Sequence, residues 1–347
     1  MFIGGMALKY FVIALLFSTN TKAKEFAAPF PALPKVAPAP ADNPTTSEKV
    51  ELGKKLYLDP ILSYDGSSSC NSCHNIMGAG DDGHAFSVGI NGQKGGRSSP
   101  TVFNAAFLSV QFWDGRAATL EEQALGPLTN PVEMGNPNHE VIIERLKKVP
   151  GYAAEFKKVF GGSDSVNKVN LAKAIAAFER TLITADTPYD RFERGDKSAL
   201  SAEAKKGMQL VQNVGCTSCH SGSNFSGPTL PMGVGFYQKF PVYPGSKYDS
   251  QYQLTTDLGR NQVTKKDEDK NMWRVPTWRN VALTAPYFHN GSVKTLEEAV
   301  KVMAKTQLNK ELSEDQTKNI VEFLKALNGS TPKIAMPKLP RREAVLF

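Results

Sequence analysis

Cysteine occurs four times in this chain, and only as two pairs, Cys70/Cys73 and Cys216/Cys219, each followed at once by a histidine, His74 and His220. C-x-x-C-H is the attachment signature of c-type haem. Thiols at this spacing can both reach one edge of the macrocycle, and the adjacent histidine then falls under the iron as an axial ligand. Paired cysteines also build structural zinc sites and thiol redox motifs. Zinc held by two knuckles would leave both histidines without a role, and the chain has only 5 His in 347 residues. Two covalent haems therefore consume every thiol. No disulfide is left to make, and the fold must enclose two macrocycles.

At 41% apolar and 22% charged residues the chain is a soluble globular protein with enough apolar mass for two domains of ordinary size. Covalent haem attachment takes place outside the bacterial cytoplasm, so an exported, periplasmic protein is expected. Residues 1–23 read as a signal peptide: Lys9, an apolar run over 10–17, then Thr21 and Ala23 fitting a cleavage site. That run is too short to span a bilayer as a helix. Residues 24–44, rich in proline and alanine, read as an extended tether, not as core. Removing 1–23 takes away Lys9 and Lys22 and no acid, so the net charge falls from +7 to +5. Haem propionates lower it further, and no nucleic-acid partner is expected.

A plan repeats along the chain. Residues 48–58 (EKVELGKKLYL) have helical apolar spacing and lead into the first motif, as 202–214 (AEAKKGMQLVQNV) lead into the second. Each half closes on an amphipathic helix, over 170–184 and 316–328. In the latter Ile320, Phe323, Leu324 and Leu327 share one face, and Gly329 is placed to stop it. The expected fold is mostly α: two cytochrome c-like domains, 45–190 and 191–335, each carrying one haem. The stretch 222–270 reads as loop.

Four segments carry a resemblance: LYLDPILSYDGSSSCNSCH (56–74), SSPTVFNAAF (98–107), QFWDGRAATLEEQALGPLTNPVEMG (111–135) and VPTWRNVALTAPYFHNGSVKTLEEAVKVM (275–303). They resemble the bacterial dihaem cytochrome c peroxidases, and the likeness extends over nearly the whole chain after the tether. The resemblance implies that the haem on His74 is peroxidatic, with Glu133 as its distal acid-base carboxylate, Gln123 beside it and Trp113 between the haems. It implies that the haem on His220 receives electrons, with Met303 as its second iron ligand. It further implies hydrogen peroxide as substrate, a small cytochrome c or blue-copper protein as electron donor, and in many members a homodimer.

These residue types suit such chemistry on their own terms. Heterolysis of peroxide needs an open iron position and a base that moves a proton from one oxygen to the other. Methionine ligation raises a haem's reduction potential, which suits electron entry. Each position also has a plain structural reading: Trp113 as core, Glu133 as a solvated loop acid, Met303 as helix packing. Two other functions stay open, a dihaem electron carrier without catalysis and a relative that oxidises a protein or organic substrate. Tyrosine at 303 would resemble the dihaem enzyme that matures a tryptophan-derived cofactor, and methionine argues against it.

Two departures from the family pattern stand out. Many members ligate the resting peroxidatic haem with a histidine in the segment S-x-G-H-G-W-Q-K-G. Here 87–96 read SVGINGQKGG, with Ile90 at that position. Either that haem is permanently open, or His84 swings in from the mobile glycine-rich stretch GAGDDGHAF as a substitute. The second departure concerns a calcium ion between the domains. Thr284 and Pro286 match its carbonyl ligands, but Ser98 stands at the asparagine position, and a hydroxyl is the weaker ligand. His289 is expected to make structural or propionate hydrogen bonds, and His139 to be exposed near a helix start.

Overall fold

The computed structural model describes residues 29–341, so the leader read at 1–23 and the start of the tether lie outside the described residues. In chain order the helices are α1 Ser47–Leu58, α2 Cys70–Cys73, α3 Leu120–Thr129, α4 His139–Lys147, α5 Pro150–Phe160, α6 Lys168–Glu179, α7 Pro188–Glu193, α8 Ala202–Val214, α9 Lys247–Gln251, α10 Asn261–Thr264, α11 Leu296–Leu308 and α12 Glu314–Lys325. A short antiparallel ribbon pairs β1 Tyr237–Lys239 with β2 Met272–Arg274, Gln238 opposite Trp273. Side chains set the helix starts. Thr46 accepts from the Lys49 N–H, Ser201 from the Ala204 N–H, and Ser313 with Gln316 forms a capping box. Each cap satisfies amide donors that a helix end leaves open.

Two helix crossings organise the molecule. At Gly53 of α1 a Cβ would stand 1.9 Å from the Ala174 carbonyl oxygen of α6, and at Gly207 of α8 it would stand 1.9 Å from that of Asn319 in α12. Only glycine lets backbones approach so closely. Phe178 and Phe323 close on the same two glycines. Around the first crossing Leu52, Leu56, Tyr57, Phe103 and Phe156 form one apolar core; around the second Tyr189, Met208, Phe225 and Trp273 form another.

The repeat goes deeper than the helix pairs. Asn104 and Asn280 both adopt φ 62°, the isolated bridges Gln111↔Ala117 and Tyr287↔Val293 follow them, and Thr119 and Thr295 then cap α3 and α11. These two helices are counterparts. The halves meet where Arg274 donates from its backbone N–H and its Nε to the carbonyls of Trp113 (2.9 Å) and Phe112 (3.0 Å). Arg97 ties them further by bridging Asp114 and Asp257.

Several expectations change. The segment from residue 29 to Asn43 is extended but not a free tether. Leu33 is 1% exposed, and its N–H donates to Asp190 Oδ1, while Phe30 packs edge-on against Phe225. Phe30 packs on the second core, and Leu33 is buried. Asp190 is itself locked to Arg279 at 2.8 Å, both side chains fully buried. α6 ends at Glu179 and α12 at Lys325, both short of the expected ends. Gly329 does not stop α12; it is a close-approach glycine, its Cβ position 2.1 Å from the Thr184 carbonyl oxygen. His139 is half-buried, its Nε2 bonded to the Leu125 carbonyl at 3.0 Å.

Candidate active site

One cavity of about 1040 Å³ is lined by Cys70, Cys73 and His74 and by Cys216, Cys219 and His220. An ordinary small-molecule site occupies roughly 300–1,000 Å³, so this space lies at the top of that range and serves both motifs. The thiols are free and partly buried, and burial pushes Cys73 and Cys216 up to about 11. Each histidine is oriented from behind. His74 Nδ1 donates to the Pro100 carbonyl (2.9 Å) and His220 Nδ1 to that of Phe225 (3.1 Å). With Nδ1 carrying the proton, Nε2 keeps its lone pair for a metal. Burial favours the neutral ring in both, lowering His74 and bringing His220 to about 4. His220 also stacks on Trp278, centroids 4.4 Å apart.

The cavity wall carries polar ends that nothing else satisfies. Trp273 Nε1 and His289 Nε2 are buried without a hydrogen-bond partner among the described residues, and both residues line the cavity. Buried Arg274 lines it too, bonded through Nε and one NH to carbonyls and paired with no carboxylate among the described residues. A buried guanidinium without a counter-ion is costly, and the carboxylates of a haem would supply one. Thiol spacing, histidine orientation and these orphaned donors together fit two c-type haems.

α3 shapes the wall on the N-terminal side, turning Leu120, Gln123, Ala124, Pro127 and Leu128 inward along one face. Beyond its end Asn130 organises the turn that carries Glu133. The Asn130 side chain accepts from the Val132 N–H, its carbonyl accepts from the N–H groups of Glu133 and Gly135, and its Nδ2 donates to Glu133 Oε1 at 2.6 Å. Burial raises the Glu133 pKa, and the charge of Arg116 opposes that rise. Arg116 is held by Asp114 at 3.0 Å and lies 3.5 Å over the Phe112 ring. Trp113 belongs to the N-terminal sequence but packs on the C-terminal core, its Nε1 donating to the Ser98 carbonyl at 2.8 Å.

On the other side α11 presents Leu296, Ala299, Val300, Met303, Ala304 and Gln307 to the same space. Set cap to cap, α3 reads TLEEQALGP (119–127) and α11 reads TLEEAVKVM (295–303), so Pro127 stands where its counterpart has Met303. The chain therefore brings Glu133, Gln123, Trp113, Met303 and both haem motifs to one cavity. Ser98, Thr284 and Pro286 line it as well, and the carbonyls of Thr284 and Pro286 accept no backbone hydrogen bond among the described residues. Among the described residues no group of three or more His, Cys, Asp or Glu gathers as a metal site.

His84 and Ile90 lie elsewhere. The His84 side chain is 70% exposed, 3.7 Å from Asp82, and does not line the cavity. Ile90 is buried with its side chain against Gly135, and it too stays off the cavity wall. Its loop is closed by bonds from Gly89 N–H to the Gln93 carbonyl, Gly95 N–H to that of Ser87 and Ile90 N–H to that of Glu133. Asn130, Arg116, Pro127 and Arg274 escaped the sequence reading. Pro127 was readable by setting the two TLEE segments in register; Asn130 had the weaker signal of an Asn-Pro turn beside a key acid.

Residues 47–198 match the model of the di-haem cytochrome c peroxidase family. Cytochrome c551 peroxidase of Pseudomonas aeruginosa is 44% identical over 298 residues, covering 86% of this chain and 83% of that one. Cytochrome c551 peroxidase of Nitrosomonas europaea is 42% identical over 305 residues, covering 88% and 87%. Among solved structures, a MauG-like protein associated with microbial copper homeostasis superposes with a TM-score of 0.74 at 28% identity, covering 86% of this chain and 95% of that one. This geometry and these relatives agree, and the chain belongs to the di-haem cytochrome c peroxidase family.

Proposed function

We propose that this chain reduces hydrogen peroxide to two waters, using two protons and two electrons, at the haem on His74. Electrons enter from a small redox protein, a cytochrome c or blue-copper protein, at the haem held by His220 and Met303. In this reading 45–190 and 191–335 are the two haem domains of a periplasmic protein exported by its first 23 residues. The observation that carries it is that the one cavity holds unlike groups near the two motifs: the charge of Glu133 acts on Cys73, while Met303 packs on the same core as Cys216.

Bound haem supplies the iron position and the redox equivalents. Glu133 takes a proton from one peroxide oxygen and returns it to the departing one. Burial raises the pKa of that carboxyl group, the charge of Arg116 opposes the rise, and the Asn130 Nδ2 donor favours its ionised form. Gln123 orients peroxide beside it, and Trp113 offers an aromatic bridge between the halves. Pro127 cannot ligate iron, and neither Ile90 nor His84 reaches the cavity, which supports an open site at rest. An oxidised protein whose absorption and EPR spectra show only low-spin haem would remove that part.

The test is steady-state peroxide reduction with a reduced cytochrome donor. Glu133→Gln should lose at least about a hundredfold in turnover, the lower end of general acid-base contributions. Equal rates in the two proteins would sink the assignment. Calcium held by Ser98 and the carbonyls of Thr284 and Pro286 belongs to the same reading, and equilibrium dialysis that finds none bound at millimolar concentration would strike it out.

A further inference from the structure

The two closing helices carry different chemistry at one matched place. Glu179 follows Phe178 and Leu324 follows Phe323, the two phenylalanines that seal the equivalent crossings. One turn earlier stand Ile175 and Ile320, and all four residues of this set, Ile175, Glu179, Ile320 and Leu324, line the cavity. The C-terminal half thus offers its haem site a leucine where the N-terminal half offers a carboxyl group.

That carboxyl group is 6% exposed, and its Oε2 has no hydrogen-bond partner among the described residues. No step of the peroxide chemistry uses it. The charged and titratable groups around it are Arg180 on its own helix, Glu121 from α3, Tyr57 from α1 and Cys70 from α2. Arg180 is engaged by Glu121 Oε1 at 2.7 Å, so its charge is shared. Burial and Glu121 favour the neutral acid and outweigh Arg180, raising Glu179 to about 8. A buried acid facing the cavity binds its proton more tightly when an electron arrives nearby, because charge interactions are strong in a low dielectric.

We infer that Glu179 is the redox-linked proton site of the N-terminal haem. Its carboxylate takes one proton from solvent for each electron that haem accepts, and releases it when the electron leaves. The donor protein supplies the electron, and the charge of the cavity stays unchanged through the step. This rests on the reading that the His74 motif carries its own haem, not on the identity of the oxidant. Leu324 gives the other haem no such partner.

Spectroelectrochemical titration of both haems without peroxide tests it, independently of turnover. From about pH 8 upward, where Glu179 ionises in the oxidised protein, the wild-type N-terminal haem should lose up to tenfold in its reduction equilibrium per pH unit, 59 mV for one electron, with little dependence below. In Glu179→Gln that slope should vanish, while the C-terminal haem keeps its own pH profile. A wild-type potential independent of pH, or the same slope in Glu179→Gln, would overturn the inference. Should the variant fail to bind haem, the reduced-minus-oxidised infrared spectrum of the wild type decides: a protonated-carboxyl band gained on reduction supports it, and no carboxyl change refutes it.

Discussion

α3 and α11 begin with the same cap and the same Leu-Glu-Glu turn, and both turn an apolar face to the cavity, yet at the matched position one carries Pro127 and the other Met303. The contrast recurs elsewhere. Phe103 fills the first core where Arg279, ion-paired and fully buried, fills the second, and Glu179 answers Leu324. What the halves keep in common is a glycine crossing of one helix pair and a carbonyl on the Nδ1 of the motif histidine. The repeat therefore keeps the backbone support of each motif histidine, and the halves differ in a few side chains that line the cavity. In the proposed reading, one frame yields a reactive site and an electron-accepting site.

The comparison breaks most severely at Asp190. Asn there keeps the shape but leaves Arg279 buried without a counter-charge, which costs about 3–5 kcal/mol. The loss should appear in denaturant titrations followed at the C-terminal haem, and it should loosen the strap held through the Leu33 N–H. A loss of under about 1 kcal/mol, the scale of an exposed pair, would mean the ion pair does not anchor that half. Next in size is Pro127→Met, which gives α3 the side chain of α11. The oxidised enzyme should lose its high-spin signature, and turnover should fall at least about a hundredfold, the least that idling the acid-base group costs. Unchanged spectra would show that a shared helix register does not place a shared ligand.

Much of this was legible beforehand because it rests on periodicity and spacing. α1, α8 and α12 follow from apolar residues three and four apart, and the haem motifs are local in sequence. Leu33 was hidden because one leucine among prolines makes no pattern. Glu179 was hidden because an acid beside Arg180 reads as a polar face, and only the packing of α6 against α1 and α3 turns it inward. The aim of Asn130 toward Glu133 depends on a turn whose bonds run through the backbone, and composition does not encode that. Ile90 was read as a missing ligand; its burial against Gly135 is a tertiary fact that the substitution alone does not carry.

The smallest expected effect sharpens the N-terminal side of the comparison. In the proposed mechanism Glu133 acts as a base, so kcat/KM should decline as pH falls through its pKa in the free enzyme. Burial raises that pKa, and the Asn130 Nδ2 donor favours the ionised form. Asn130→Ala removes the donor, so the acidic limb should move to higher pH while the rate well above it falls less than in Glu133→Gln. Asn130→Asp keeps the acceptor for the Val132 N–H, and with it the turn, but sets a like charge beside Glu133; its limb should move further in the same direction. The C-terminal haem should keep its potential in both variants. If both merely lower the plateau and leave the limb in place, Asn130 shapes the loop and has no hold on the proton of Glu133.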